Sequence, residues 1–435
     1  MKRQTTVVML SLVVMTALAA CGGAQVPPTV VVEIPTSRPA AASATAPPGS
    51  AATAPAVAGT IPPTGQASAT QPSTSQPLAT TGAATVPATP GEGVGGGGGA
   101  QEVTGSNVVL ADLSVDPPQL TAVDPATGEA QVIFSAPGLI EGGLQWVAGN
   151  YVFYLDEELQ VVKRVAFDNT LIELPFVNPS GEFFEGQFLP SPDGERIAWG
   201  TYAFEPNPNG DNHNQLKVAN VDGTGEQILF DKRLQDESIL PTPLGWSADG
   251  RFLYFTNVPY GIGGYILFRG GPDLQQVDLT TGVMTEILPN MGCLCPMSLS
   301  PDGSTVAYVG GLEPLELVLH EVVTGAERRA PLEAGYRQAG SIVWSPDGEL
   351  LMLTMAIGNF EQQEKEAFSV VRLDVATLAQ TVLIRDDALL LETIVWPVAG
   401  TVWLNDIAGR AWRMEAQTGA LTQSAVAGQV MGVVR

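Results

Sequence analysis

Met297-Ser298-Leu299-Ser300-Pro301-Asp302-Gly303-Ser304-Thr305-Val306-Ala307-Tyr308-Val309 holds an apolar run, a four-residue turn and a second apolar run. Proline presets φ for the second turn position, Asp suits the third, and Gly accepts φ > 0 where the next strand begins. Two β runs joined in this way form a hairpin. Glu316-Leu317-Val318-Leu319-His320 supplies a third run, Glu321 to Gly325 a second turn, and Ala326 to Leu332 a fourth run. Four antiparallel strands in about 40 residues make one blade of a propeller.

The turn recurs. Ser191-Pro192-Asp193-Gly194, Ser247-Ala248-Asp249-Gly250 and Ser345-Pro346-Asp347-Gly348 share it, at a period of roughly 50 residues that marks a repeat architecture. Decayed copies stand at Trp146-Val147-Ala148-Gly149 and Trp396-Pro397-Val398-Ala399-Gly400. An acid-to-Gly or acid-to-Thr turn before the last strand gives an independent series. It appears at Asp124–Gly128, Asp168–Thr170, Asp222–Gly225, Asp278–Gly282, Glu321–Gly325, Asp374–Thr377 and Glu415–Gly419. The earliest unit starts at Asn107-Val108-Val109-Leu110 without a preceding strand, and the chain ends on a spare one, Val430-Met431-Gly432-Val433-Val434. Pairing the two closes the ring and removes an open edge. The expected fold is all-β, a seven-bladed propeller over 106–435, with six blades as the alternative. Trp146, Trp246, Trp344 and Trp396, just before the first turns, are expected to pack between blades.

Trp-Ser-Pro-Asp-Gly leading into an apolar strand, with Thr-Gly before the last strand, resembles the TolB-like propeller repeats of bacterial envelope proteins. The resemblance covers roughly 106–435 and implies the propeller fold and an envelope setting. Such repeats serve scaffolds, peptidase accessory domains and sugar-acid lyases alike, so the fold does not select the function.

Met1-Lys2-Arg3, the apolar stretch Val7 to Leu18, and Leu18-Ala19-Ala20-Cys21 read as a secretory signal over 1–20. Its end looks like a bacterial lipobox, in which Cys21 becomes the lipidated N-terminus. Residues 21–105 are almost entirely Pro, Thr, Ala, Ser, Gly and Val, and have no aromatic residue. Such a segment buries too little to fold. It reads as a disordered stalk on the order of 50 Å long. An exported, membrane-anchored lipoprotein facing the extracytoplasmic side is the expected address, and a monomer the expected state.

The three bases and three acids of residues 1–105 cancel, so the propeller carries the whole formal charge of −25. That balance argues against nucleic acid and anionic lipid surfaces as partners, which need basic footprints.

In a propeller, the second-to-third-strand and blade-to-blade connections share one face, opposite the Pro-Asp-Gly turns. Long insertions fall there, at Tyr202–Asn214, Asn257–Asp273 and Met355–Phe368. They bring Tyr202, Phe204, Tyr260, Tyr265 and Phe360 beside Asp211 and Glu364. Rings beside carboxylates on loops suit recognition of a peptide, protein or glycan. Asp193, Asp249, Asp302 and Asp347 are explained by their turns. Pro206 to Asn214 is rich in side-chain oxygen and could hold Ca²⁺, but lacks the ordered spacing of an EF-hand loop. No cofactor is otherwise expected. Met291-Gly292-Cys293-Leu294-Cys295-Pro296-Met297 offers four soft sulfurs. Outside the cell, Cys293 and Cys295 are expected to pair as a local disulfide; Cu(I) is the alternative. Only two histidines, His213 and His320, are present, and no Gly-x-Ser-x-Gly elbow. The residues therefore favour a non-catalytic binding propeller of the cell envelope. The rival is a Ca²⁺-dependent lactonase-like or lyase-like propeller.

Overall fold

The computed structural model describes residues 106–434, apart from 141–142, 178–183, 205–210, 236–238, 260–266, 269, 312–313, 358–367 and 387–390. The signal, Cys21 and the stalk lie outside the described residues. The described chain forms seven four-stranded antiparallel sheets in a ring, a seven-bladed propeller. Blade 1 orders its strands Gln429–Val434, Asn107–Asp112, Gln119–Val123 and Ala130–Ser135. Blades 2 to 7 follow along the chain, over 145–174, 184–235, 239–288, 297–331, 338–386 and 391–423.

The spare C-terminal strand is thus the inner strand of blade 1, with Val108 opposite Val433 and Val109 opposite Gly432. Each neighbouring pair of blades encloses its own apolar cluster, giving seven around the ring. The seventh joins Trp403 of blade 7 to Val108, Leu110 and Val430 of blade 1. A six-bladed ring has no place for that cluster. Second strands pack on a neighbour through both faces, so they read as continuous apolar runs rather than alternating ones. Val306-Ala307-Tyr308-Val309 is buried throughout. Outermost strands are more open: Glu327, Arg328 and Arg329 are exposed while Ala330 is buried.

The Ser-x-Asp-Gly turns satisfy themselves. Ser300 N donates to Thr305 O, Gly303 N to Ser300 O, and Thr305 N to Ser300 Oγ. Ser300 Oγ in turn donates to Asp302 Oδ1 at 2.6 Å. The same set recurs around Ser191, Ser247 and Ser345. The serine hydroxyls hold the Asp249, Asp302 and Asp347 carboxyls below the usual range, assisted by a backbone N–H two residues on. The ring of aspartates is turn chemistry.

One tryptophan departs from expectation. Trp246, Trp344 and Trp396 are buried between blades, but Trp146 is 38% exposed. Trp246 stands one residue before Ser247, which closes a four-residue loop onto Phe252. Trp146 stands two residues before Ala148, which pairs with Tyr151 across a two-residue loop. Side chains alternate along a strand, so the shorter turn sends Trp146 to the opposite face. Trp396 has the same sequence offset, but a bulge between Val395 and Val398 restores it to the core.

Candidate functional site

The face opposite the Ser-x-Asp-Gly turns has a low side and a high side. On blades 7, 1 and 2 the second-to-third-strand connections are short, at 407–410, 113–118 and 157–160. Each is closed by an aspartate at the end of the second strand. Asp406 Oδ1 accepts from Ala408 N and Arg410 N. Asp156 Oδ1 accepts from Glu158 N and Leu159 N, and Asp112 Oδ1 from Ser114 N. An aspartate that accepts backbone N–H groups two to four residues on pre-forms a tight turn. On blades 4 and 6 the corresponding connections run over 260–273 and 357–367. On blade 3 the strands themselves lengthen, to nine residues in Arg196–Phe204 and ten in Asp211–Asn220.

That lengthening corrects the expectation that Tyr202–Asn214 is a loop. Tyr202 pairs with Asn214 in the sheet and is 6% exposed, so its ring belongs to the blade. Phe204 ends one strand and Asp211 opens the next. Of the oxygen-rich run, Asn212, His213 and Asn214 are strand residues, with both asparagines buried. Tyr260, Tyr265, Phe360 and Glu364 lie outside the described residues.

The blade 4 connection contains a feature that local patterning does not show. Leu267 and Phe268 pass beyond blade 5 and reach blade 6. Leu267 N donates to Gln338 Oε1 at 2.8 Å, and Phe268 packs with Ala356 and Phe368. Gly340, on the inner strand of blade 6, makes this possible: a Cβ there would stand 2.3 Å from Phe268 Cβ. Beneath the crossing, blade 5 has an inner strand of only three residues, Met297–Leu299. Just before that strand, Cys295 exchanges backbone hydrogen bonds with Gly271 of the blade 4 connection at 3.1 and 3.2 Å. Cys295 is buried and disulfide-bonded to Cys293, with Cα atoms 5.2 Å apart. The odd sulfur-rich segment thus sits where the crossing strap is pinned to blade 5. The glycines on either side of Ile266-Leu267-Phe268 were the one local signal; the docking partners lie some 70 residues on.

The histidines are tied into their own blades. His213 Nε2 lies 2.7 Å from Asp231 Oδ1, and that bond holds the Asp231 carboxyl below its usual range. His320 Nδ1 lies 3.3 Å from Glu327 Oε1, which also takes the Tyr308 hydroxyl; Glu327 Oε2 bonds Arg329. Among the described residues, no three His, Cys, Asp or Glu side chains gather in a group fit for a metal ion.

The sequence matches no protein-family model and no curated protein. Solved structures do match. An oligogalacturonate lyase from Vibrio parahaemolyticus superposes with a TM-score of 0.51 at 13% identity, over 73% of this chain and 85% of that one. TolB from Acinetobacter baumannii does so with a TM-score of 0.40 at 13% identity, over 76% of this chain and 66% of that one. At such identities the likeness to the lyase is one of fold alone.

Proposed function

We propose that this protein is a membrane-tethered, non-catalytic propeller that binds a protein, peptide or glycan of the cell envelope on its long-connection face. The observation that carries this reading is the strap. A blade 4 connection that crosses to blade 6, with a glycine reserved beneath Phe268, is costly to build and shapes one face only. Both histidines are engaged in cross-strand pairs, and the recurrent aspartates serve turns of the opposite face.

The test is capture by residues 106–435, which close on themselves, against separated envelope proteins, peptidoglycan fragments and glycans. Gly340→Val should evict Phe268 and weaken capture by ~10-fold or more, a loss of about 1.4 kcal/mol. Val323→Glu, on a 91% exposed residue of the opposite face, should leave capture unchanged. Equal binding by wild type and Gly340→Val would remove the long-connection face from the account.

The tether is tested separately. Cys21→Ser should abolish lipidation and release the protein from salt-washed membranes, with the melting temperature of the propeller unaltered. Sedimentation of the Ser variant with washed membranes would show that lipid at Cys21 is not the anchor.

A further inference from the structure

The low side of the long-connection face holds a cleft of about 520 Å³ at the seam where the ring closes. Three separated pieces of chain build it: the end of the blade 1 strand at Asp112, the blade 7 turn at Arg410, and the connection into the closing strand at Gln429. Its size falls in the range of small-ligand sites. None of its residues belongs to the long connections of blades 3, 4 and 6, so it can fail while the reading above holds, and the reverse.

It holds two charged groups, of opposite sign. Arg410 is the one cation of the lining, and its Nε donates to Asp406 Oδ2 at 2.6 Å. That bond fixes the guanidinium plane and leaves its terminal nitrogens for a further acceptor. Asp112 is the one carboxylate of the lining. Both of its bonds, from Ser114 N and Oγ, fall on Oδ1, so Oδ2 remains for a donor. Gln423 and Gln429 add uncharged amides to the lining. The rest of the lining mixes apolar side chains such as Ala411 and Val426 with the hydroxyls of Ser114 and Ser424. Gly428 lets the closing connection lie against the backbone of blade 1: at φ 119°, a Cβ there would stand 2.5 Å from Ala111 O.

We propose that this cleft binds a small zwitterion, a free α-amino acid or a short peptide. Its carboxylate is taken by Arg410 and its ammonium by Asp112. One cation and one carboxylate in a single cleft match that chemistry. A purely anionic ligand would face Asp112, and a purely cationic one would face Arg410. Because the site bridges both chain ends of blade 1, an occupant also ties the closing strand to blade 7. Binding should therefore raise the melting temperature as ligand concentration passes its Kd.

The experiment is calorimetric titration and thermal shift on the full chain with alanine, dialanine, N-acetyl-dialanine and dialanine amide. Saturable binding of alanine or dialanine is expected, with each blocked form at least ~10-fold weaker. Preference for alanine identifies a free amino acid as the ligand, and preference for dialanine a peptide. Asp112→Asn keeps an acceptor for Ser114 and should keep the fold while weakening binding ~10-fold; Arg410→Gln should do the same, with its melting temperature measured alongside. No saturable binding by any probe, equal binding of the blocked forms, or unchanged binding by a folded Asp112→Asn would each overturn the proposal.

Discussion

Deleting residues 428–435 is expected to open the ring. The closing strand contributes Met431 and Val434 to the cluster between blades 1 and 2, and Val430 to the cluster between blades 7 and 1. These three are at most 8% exposed. At ~1.5–3 kcal/mol for each fully buried side chain, their loss is comparable to the ~5–15 kcal/mol that holds a whole domain together. The deletion also removes the ladder partners of residues 107–111, leaving an unpaired edge. The expected result is a fall in melting temperature of more than ~10 °C with aggregation. A truncated propeller that melts within a few degrees of the intact one would contradict closure by this strand.

Lys163→Met is expected to cost about 3–5 kcal/mol, because it leaves a buried carboxylate without its counter-ion. Lys163 Nζ and Asp156 Oδ2 lie 2.5 Å apart, with side chains 6% and 3% exposed. Burial alone raises the Asp156 carboxyl; the Lys163 bond and the N–H groups of Leu159 and Glu158 outweigh it and hold it below the usual value. A depressed carboxyl stabilises the fold above the unfolded-state value near ~3.9, and this is lost as pH falls through the folded-state value. In Lys163→Met the burial penalty faces fewer opposing bonds, so protonation relieves the variant. The gap between wild type and variant, read from urea midpoints, should be wide at pH 7 and narrow near pH 4. A gap independent of pH would assign the loss to packing instead.

The architecture was legible because propeller turns are local. Ser-Pro-Asp-Gly states its own backbone conformation, and the spare apolar strand at Val430–Val434 pointed to closure before any pairing was known. Trp146 was misread because a two-residue turn and a four-residue turn look alike in spacing yet reverse strand parity. Tyr202 was misread because polar, Asn-rich sequence continued the blade 3 strands past their usual length. The strap was hidden for a different reason. Its docking rests on the absence of a side chain at Gly340, and no periodicity reports a gap that a distant ring will fill. The seam cleft was equally silent, since its charged groups lie at 112 and 410 and meet only through ring closure.

The central claim, recognition on the long-connection face, is tested most directly by hydrogen exchange of the propeller with and without the envelope component it captures. The account predicts slowed exchange in 257–274 and 355–369, with the Asp193, Asp249, Asp302 and Asp347 turns unchanged. Protection confined to those turns would place the partner on the opposite face and contradict it.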